Sequence, residues 1–110
     1  MKIIEKEFVP VFLGSDINTY SMSMAFYEEY GVKSIVIGKS NTGPSCHSRI
    51  IDFRFVPELD KQDVFLRTIN DTASKHRDKK VILLGCGDNY VELIIKNRKA
   101  LPGNIIAPYV

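Results

Sequence analysis

Residues 11–22 read VFLGSDINTYSM, an apolar run that enters a single glycine, then a polar turn, then a segment of helical period. Dinucleotide-binding α/β domains begin in this way, but the second and third glycines of their G-x-G-x-x-G fingerprint are missing here. A second stretch, VILLGCGDNY at residues 81–90, has the same form. The two stretches predict the fold class and mark two turns at which a ligand is expected.

The rest of the chain continues this alternation of strands and helices. Short runs rich in valine and isoleucine predict strands at residues 11–13, 34–37, 53–56, 81–84 and 105–107. Four of these runs lack in-out alternation, which favours burial on both faces of a parallel sheet, whereas the third alternates and is predicted to lie at an edge. Apolar stripes of helical period predict helices over residues 18–30, 61–77 and 89–98.

Alternating strands and helices predict a three-layer α/β sandwich of the Rossmann-like type. Right-handed crossovers then give a five-stranded parallel sheet in the order 3-2-1-4-5. Pro10 is interpreted as the first residue of the first strand, where a missing N–H is tolerated. Asp60 is predicted to cap the second helix, with Asp63 in its first turn, and Asn89 with Glu92 resembles a capping box.

Length and charge narrow the range of functions. With 110 residues, 45% of them hydrophobic and 25% charged, the chain is expected to form a single domain over residues 1–110. Its 15 basic and 13 acidic residues are spread along the chain and leave a net charge of +2, so neither nucleic acid nor a membrane surface is an expected partner. The apolar stretch near the amino terminus is too short to predict a secretory signal, and no run of about 18 apolar residues predicts a membrane span. Cys46 and Cys86 are isolated, which suits a cytoplasmic protein.

Open α/β sheets bind ligands at the carboxyl ends of the strands where the chain order reverses, which is here between the first and fourth strands. The two turns are therefore expected to face each other around a small polar ligand. They offer glycines for close backbone approach and polar side chains at helix starts, namely Gly14, Ser15, Asp16, Asn18, Gly85, Asp88 and Asn89. Asp16 argues against a phosphate at the first turn, because its carboxylate would repel one.

The long loop after the second strand is a further candidate region. It is expected to fold over the same crevice as a third wall that presents Ser45, His47, Ser48 and Arg49. Each candidate also has a structural explanation, since glycines serve tight turns and Asp and Asn cap helices. His76 is expected to pack or to cap carbonyl groups. No metal site is predicted, because adjacent Cys46 and His47 would seldom both bind one ion.

Four motifs in order carry a resemblance to a known family. They are GSDIN-Y after the first strand, YG-KS at the second, TGP-S-HSR in the long loop and G-GDNY-E after the fourth. Together they resemble the amino-terminal, pre-ATP-grasp domain of ATP-grasp carboxylate-amine ligases, in the bacterial group that includes D-aspartate ligases. The resemblance extends over about residues 8–110.

This resemblance implies that the chain is a fragment of a longer ligase. The parent would use ATP and Mg to activate a carboxylate as an acyl phosphate and then join it to an amine. The fragment would lack the ATP-grasp domains, bind no cofactor itself and be inactive alone. An amino acid or carboxylate substrate would be positioned by Asp16, Asn18 and Tyr20 from one wall and by Asp88 and Asn89 from the other, none of them an acid, base or nucleophile.

Two other readings remain open. The first is a free-standing Rossmann-type module that binds or senses nucleotides. The missing glycines disfavour it, and so do Gly38 and Lys39, which follow the second strand at the place where an acidic residue would bind the ribose of a dinucleotide. A structural or interaction domain would expose an apolar patch and form a homodimer through it. The identities of the acid and the amine, and the roles of His47 and Arg49, stay undetermined by the sequence.

Overall fold

The apolar runs assemble into one parallel sheet. A computed structural model describes residues 8–14, 17–39 and 48–107 of the chain. Within these ranges the elements in chain order are β1 (Phe8–Leu13), α1 (Ile17–Tyr30), β2 (Ser34–Gly38), β3 (Ile51–Phe55), α2 (Gln62–Lys75), β4 (Lys80–Gly85), α3 (Asp88–Lys96) and β5 (Ile105–Ile106), with a 3-10 turn at Arg98–Ala100. The strand order is β3-β2-β1-β4-β5 and every pairing is parallel, which confirms the predicted α/β fold and the edge position of β3.

The helices cover the two faces of the sheet unequally. Alternate strand residues such as Val11, Leu13 and Leu83 form a core with α2 and α3, through side chains that include Phe65 and Ile94. We call this group the α2–α3 core. On the opposite face, Phe12, Val36 and Ile51 pack against α1 through Met22 and Phe26, and we call this group the α1-side cluster. The chain runs from β1 towards β3 at one edge of the sheet and then from β3 back towards β5 at the other edge. Because every crossover is right-handed, this reversal places α1 on one face and α2 and α3 on the other.

Pro10 is not the first residue of β1, as the sequence suggested, but the third. The Gly14 N–H donates to the Ile37 carbonyl of β2 at 2.8 Å. Because successive N–H groups of a strand point to opposite sides, the Pro10 nitrogen also faces the β2 side. Pairing between β1 and β2 begins only at Val11, so no ladder hydrogen bond is lost at Pro10.

Both predicted side-chain caps are wrong. The N-cap of α2 is Lys61, not Asp60, and the N-cap of α3 is Gly87, and neither makes a side-chain capping bond. Asp63 does lie in the first turn of α2, as expected. None of the helices in the described ranges combines the length and the apolar character needed to cross a membrane.

Candidate functional site

The segments that leave β1 and β4 lie side by side. Leu13 at the end of β1 is in register with Gly85 at the end of β4. The Cys86 N–H donates to the Leu13 carbonyl at 2.9 Å, while the Gly14 N–H bonds to β2 on the other side. The predicted meeting of the two turns at the point where strand order reverses is thus present in the fold.

The floor between the two turns is closed by packing at Gly14. This glycine is buried and has φ +133°, and a Cβ added there would lie 3.2 Å from Thr19 Cγ2 and 3.3 Å from the Cys86 carbonyl oxygen. The side chain of Cys86 belongs to the α1-side cluster, where its Sγ lies 3.6 Å from Met22 Sδ. A ligand at this edge would therefore rest on the two turns and would not enter between the strands.

Gly85 allows helix α3 to pack closely against the end of β4. A Cβ at this position would lie 2.8 Å from the Val91 nitrogen and 2.9 Å from the Tyr90 carbonyl carbon, both of which are backbone atoms of α3. A side chain would therefore displace the helix. The glycine at position 85 is explained by this close approach, in the manner of the helix-packing glycine of dinucleotide folds.

Asp88 and Asn89 are the first two residues of α3, and both are exposed. Because the N-cap is Gly87, neither side chain serves as the cap of the helix. The capping explanation that competed with a binding role does not hold for these two residues. They remain candidates to bind a ligand, beside a helix N-terminus that favours anions.

The first turn is described only in part. Ser15 and Asp16 lie outside the described residues. Asn18 is exposed in the first turn of α1, whereas Tyr20 is half-buried and packs against the α1-side cluster. The structure therefore places Gly14 beside the second turn, with Asn18 at the start of the helix that follows it, and it gives Tyr20 a packing role as well.

The long loop does not supply Ser48 and Arg49 to this edge. The Ser34 N–H donates to the Ile50 carbonyl at 3.1 Å, so these residues lie beside the start of β2, at the amino edge of the sheet. A loop that joins two neighbouring parallel strands must return to the opposite edge before the second strand begins. Ser45 and His47 lie outside the described residues.

A charged residue outside the predicted set of site residues, Lys39, follows β2 at the same carboxyl edge. The Lys39 Nζ lies 2.9 Å from Asp60 Oδ2, and both side chains are substantially exposed. This hydrogen bond raises the pKa of Lys39 and lowers the pKa of Asp60, and the Tyr90 phenol adds a smaller upward effect on the pKa of Lys39. The available signal in the sequence was a basic residue directly after a buried strand.

A cleft of about 430 Å³ lies at the other end of the molecule. It is lined by residues such as Phe8, Val32, Lys33 and Lys79, which belong to or precede the amino ends of β1, β2 and β4. Binding sites of open α/β sheets form at the carboxyl ends, so we place the candidate site at the two turns. Among the described residues, no group of three His, Cys, Asp or Glu side chains could hold a metal ion.

Comparison with known proteins supports the resemblance drawn from the motifs. The chain is 35% identical over 111 aligned positions to D-aspartate ligase of Enterococcus faecium (strain Aus0004). The match covers 98% of this chain and 26% of that protein, so the chain spans about a quarter of the length of the curated relative. No family model matches the chain, and no solved structure matches it.

Proposed function

Because the chain is related to a D-aspartate ligase over nearly its whole length, we propose that it is the substrate-binding domain of an ATP-dependent carboxylate-amine ligase. Its ligand is an acidic D-amino acid, with D-aspartate as the first candidate. The observation that carries this proposal is the meeting of the β1 and β4 turns, which brings polar groups from two helix starts to one edge.

The chemistry of the two turns suits an amino acid better than a nucleotide. Carboxylate and amide oxygens of Asp88 and Asn89 can accept hydrogen bonds from an α-ammonium group. The N-terminus of α3, which lies beside them, attracts a carboxylate through its N–H groups and dipole. Asp16 belongs to the same proposed set, and its charge would oppose a phosphate.

This chain supplies binding and orientation, and the reaction depends on the rest of a longer ligase. ATP and Mg would bind to the ATP-grasp domains of that parent, which would form the acyl phosphate and transfer it to the amine. We expect no ATP turnover by these 110 residues alone. Use of ATP and two isolated cysteines both fit a cytoplasmic location.

Isothermal titration calorimetry on the 110-residue chain tests the proposal. We expect saturable binding of D-aspartate, weaker binding of L-aspartate, and no binding of Mg-ATP or NAD. Asp88→Asn should weaken D-aspartate binding about tenfold, because a hydrogen bond to a charged group is lost. Asp63→Asn makes the same chemical change in the first turn of α2 and is the matched control, expected within twofold of the wild type.

Two results would reject the proposal. One is the absence of D-aspartate binding at millimolar concentration, and the other is binding of NAD or Mg-ATP in its place. A phosphate-release assay adds a third check, since steady ATP hydrolysis by this chain alone contradicts the assignment of catalysis to other domains.

A further inference from the structure

The two turns offer an acidic ligand hydrogen-bond acceptors and negative charge, but an acidic amino acid also needs a cation. Asp88 and Asn89 are exposed at this edge, and Asp88 carries the negative charge. An aspartate ligand carries two carboxylates and one ammonium, so its net charge is negative at neutral pH. The N-terminus of α3 can hold one of these carboxylates, so a preference for the acidic ligand over a neutral amino acid calls for a basic group that binds the second.

Lys39 is positioned to supply this cation. It directly follows β2, which pairs with β1 through Leu13 and Ile37 at the carboxyl edge. Most of the other basic residues described by the structure lie at the amino edge or along the helices. Lys61 is also near the carboxyl edge, but it follows the outer strand β3 and pairs with Glu58 at 3.2 Å.

The end of β1 connects Lys39 to the turn after β4. The Gly14 N–H donates to the Ile37 carbonyl of β2 at 2.8 Å, two residues before Lys39, and the Cys86 N–H donates to the Leu13 carbonyl at 2.9 Å. The ends of β2, β1 and β4 therefore lie side by side at the carboxyl edge, and Lys39 directly follows the first of them.

Asp60 orients the Lys39 ammonium and leaves two of its N–H donors available. An ammonium has three N–H donors, and the contact with Asp60 Oδ2 at 2.9 Å uses one of them. The remaining donors can bind a carboxylate of a ligand. An exposed ion pair of this kind contributes little to folding stability, so replacing either partner should leave the domain folded.

We propose that Lys39 binds one carboxylate of the acidic amino acid ligand and that Asp60 positions it for this contact. This inference rests on the proposed function and extends it, because it names the residue that selects an acidic over a neutral ligand. Lys39 is assigned a binding role and Asp60 a positioning role.

The test is calorimetry with D-aspartate and its two mono-amides, D-asparagine and D-isoasparagine, on four proteins. These are the wild type, Lys39→Met, Asp60→Asn and the control Lys61→Met, which removes a second paired lysine of the same edge. Lys39→Met should weaken D-aspartate and one mono-amide about tenfold or more, and the other mono-amide less than threefold. The mono-amide that loses its dependence on Lys39 identifies the bound carboxylate.

The other variants separate a ligand contact from a structural role. Lys61→Met should bind D-aspartate within twofold of the wild type. Asp60→Asn keeps the cation and should retain the preference for D-aspartate over that same mono-amide, whereas Lys39→Met should abolish it. Circular dichroism would verify that all four proteins are folded.

Different results identify which claim is wrong. If the wild type binds D-aspartate and Lys39→Met binds it equally well, the inference is overturned while the proposed function stands. An equal loss of binding by Lys39→Met and Lys61→Met, or by both mono-amides, also overturns it. If the wild type binds no D-aspartate, the proposed function fails and the inference fails with it.

Discussion

Replacing Gly85 by alanine should destabilise the domain by displacing helix α3. The added Cβ would lie 2.8 Å from the Val91 nitrogen, 2.9 Å from the Tyr90 carbonyl carbon and 3.0 Å from Tyr90 Cβ. Two of these atoms belong to the helix backbone and cannot rotate away. Ordinary contacts begin at 3.4 Å, so the first turn of α3 would have to move by about 0.6 Å (3.4 − 2.8). Overpacking of this kind costs about 1–3 kcal/mol.

Alanine variants at two other glycines are controls for the general effect of adding a methyl group. Gly103 has no atom within 4 Å of the added Cβ, so Gly103→Ala should stay within about 0.5 kcal/mol of the wild type. Gly31 has equally open surroundings but φ +71°, so Gly31→Ala should cost about 1–2 kcal/mol through backbone strain alone.

Urea unfolding followed by circular dichroism measures the free energy of unfolding of the three variants, and an unchanged slope would show that the unfolded state is comparable. A loss of about 1 kcal/mol lowers Tm by about 4–8 °C in a domain of this size. If Gly85→Ala is as stable as Gly103→Ala, then α3 does not approach the end of β4 as described. The positions of Asp88 and Asn89 at the site would then lose their basis.

Three further predictions concern stability. Ser23 is buried, and its Oγ has no hydrogen-bond partner among the described residues, so Ser23→Ala should raise the free energy of unfolding by about 0.5–1 kcal/mol in urea titrations. Asn104 Nδ2 lies 3.1–3.3 Å from three carbonyls, two at the end of α2 and one in the turn before β4, so Asn104→Ala should cost about 1–3 kcal/mol. No change in Tm would contradict that bonding. Burial lowers the pKa of His76, and nearby Lys79 and Arg54 lower it further. The unfolded chain therefore binds this proton more readily, stability should fall as pH drops below about 6.5, and His76→Gln should reduce that fall in unfolding curves measured between pH 5 and 8.

The sheet could be predicted from the sequence because burial on two faces leaves a plain signal. Runs such as residues 34–37 and 81–84 do not alternate between apolar and polar residues, which indicates strands of a buried parallel sheet. The right-handedness of the crossover connections then leaves few possible strand orders. The helix caps could not be predicted in the same way. Whether Asp60 or Lys61 begins α2 depends on the path of the chain after β3, and Asp60 is drawn instead to Lys39, which lies 21 positions away in the sequence.

The candidate site was predictable where it follows from topology. Parallel strands that reverse order at β1 and β4 bring Gly14 and Gly85 together whatever the side chains are. The error with Ser48 and Arg49 was avoidable, because a loop between neighbouring parallel strands ends at the amino edge. The contact of Lys39 with Asp60 was not predictable, since it depends on the path of the chain after β3.

The central claim is that the turns after β1 and β4 form the ligand site, and amide chemical-shift mapping tests it most directly. In a titration of the ¹⁵N-labelled chain with D-aspartate, we predict the largest shifts at Gly14, Asn18, Gly87 and Asn89. Shifts confined to Val32 and its neighbours in the cleft at the amino edge, with those four amides unchanged, would contradict the claim.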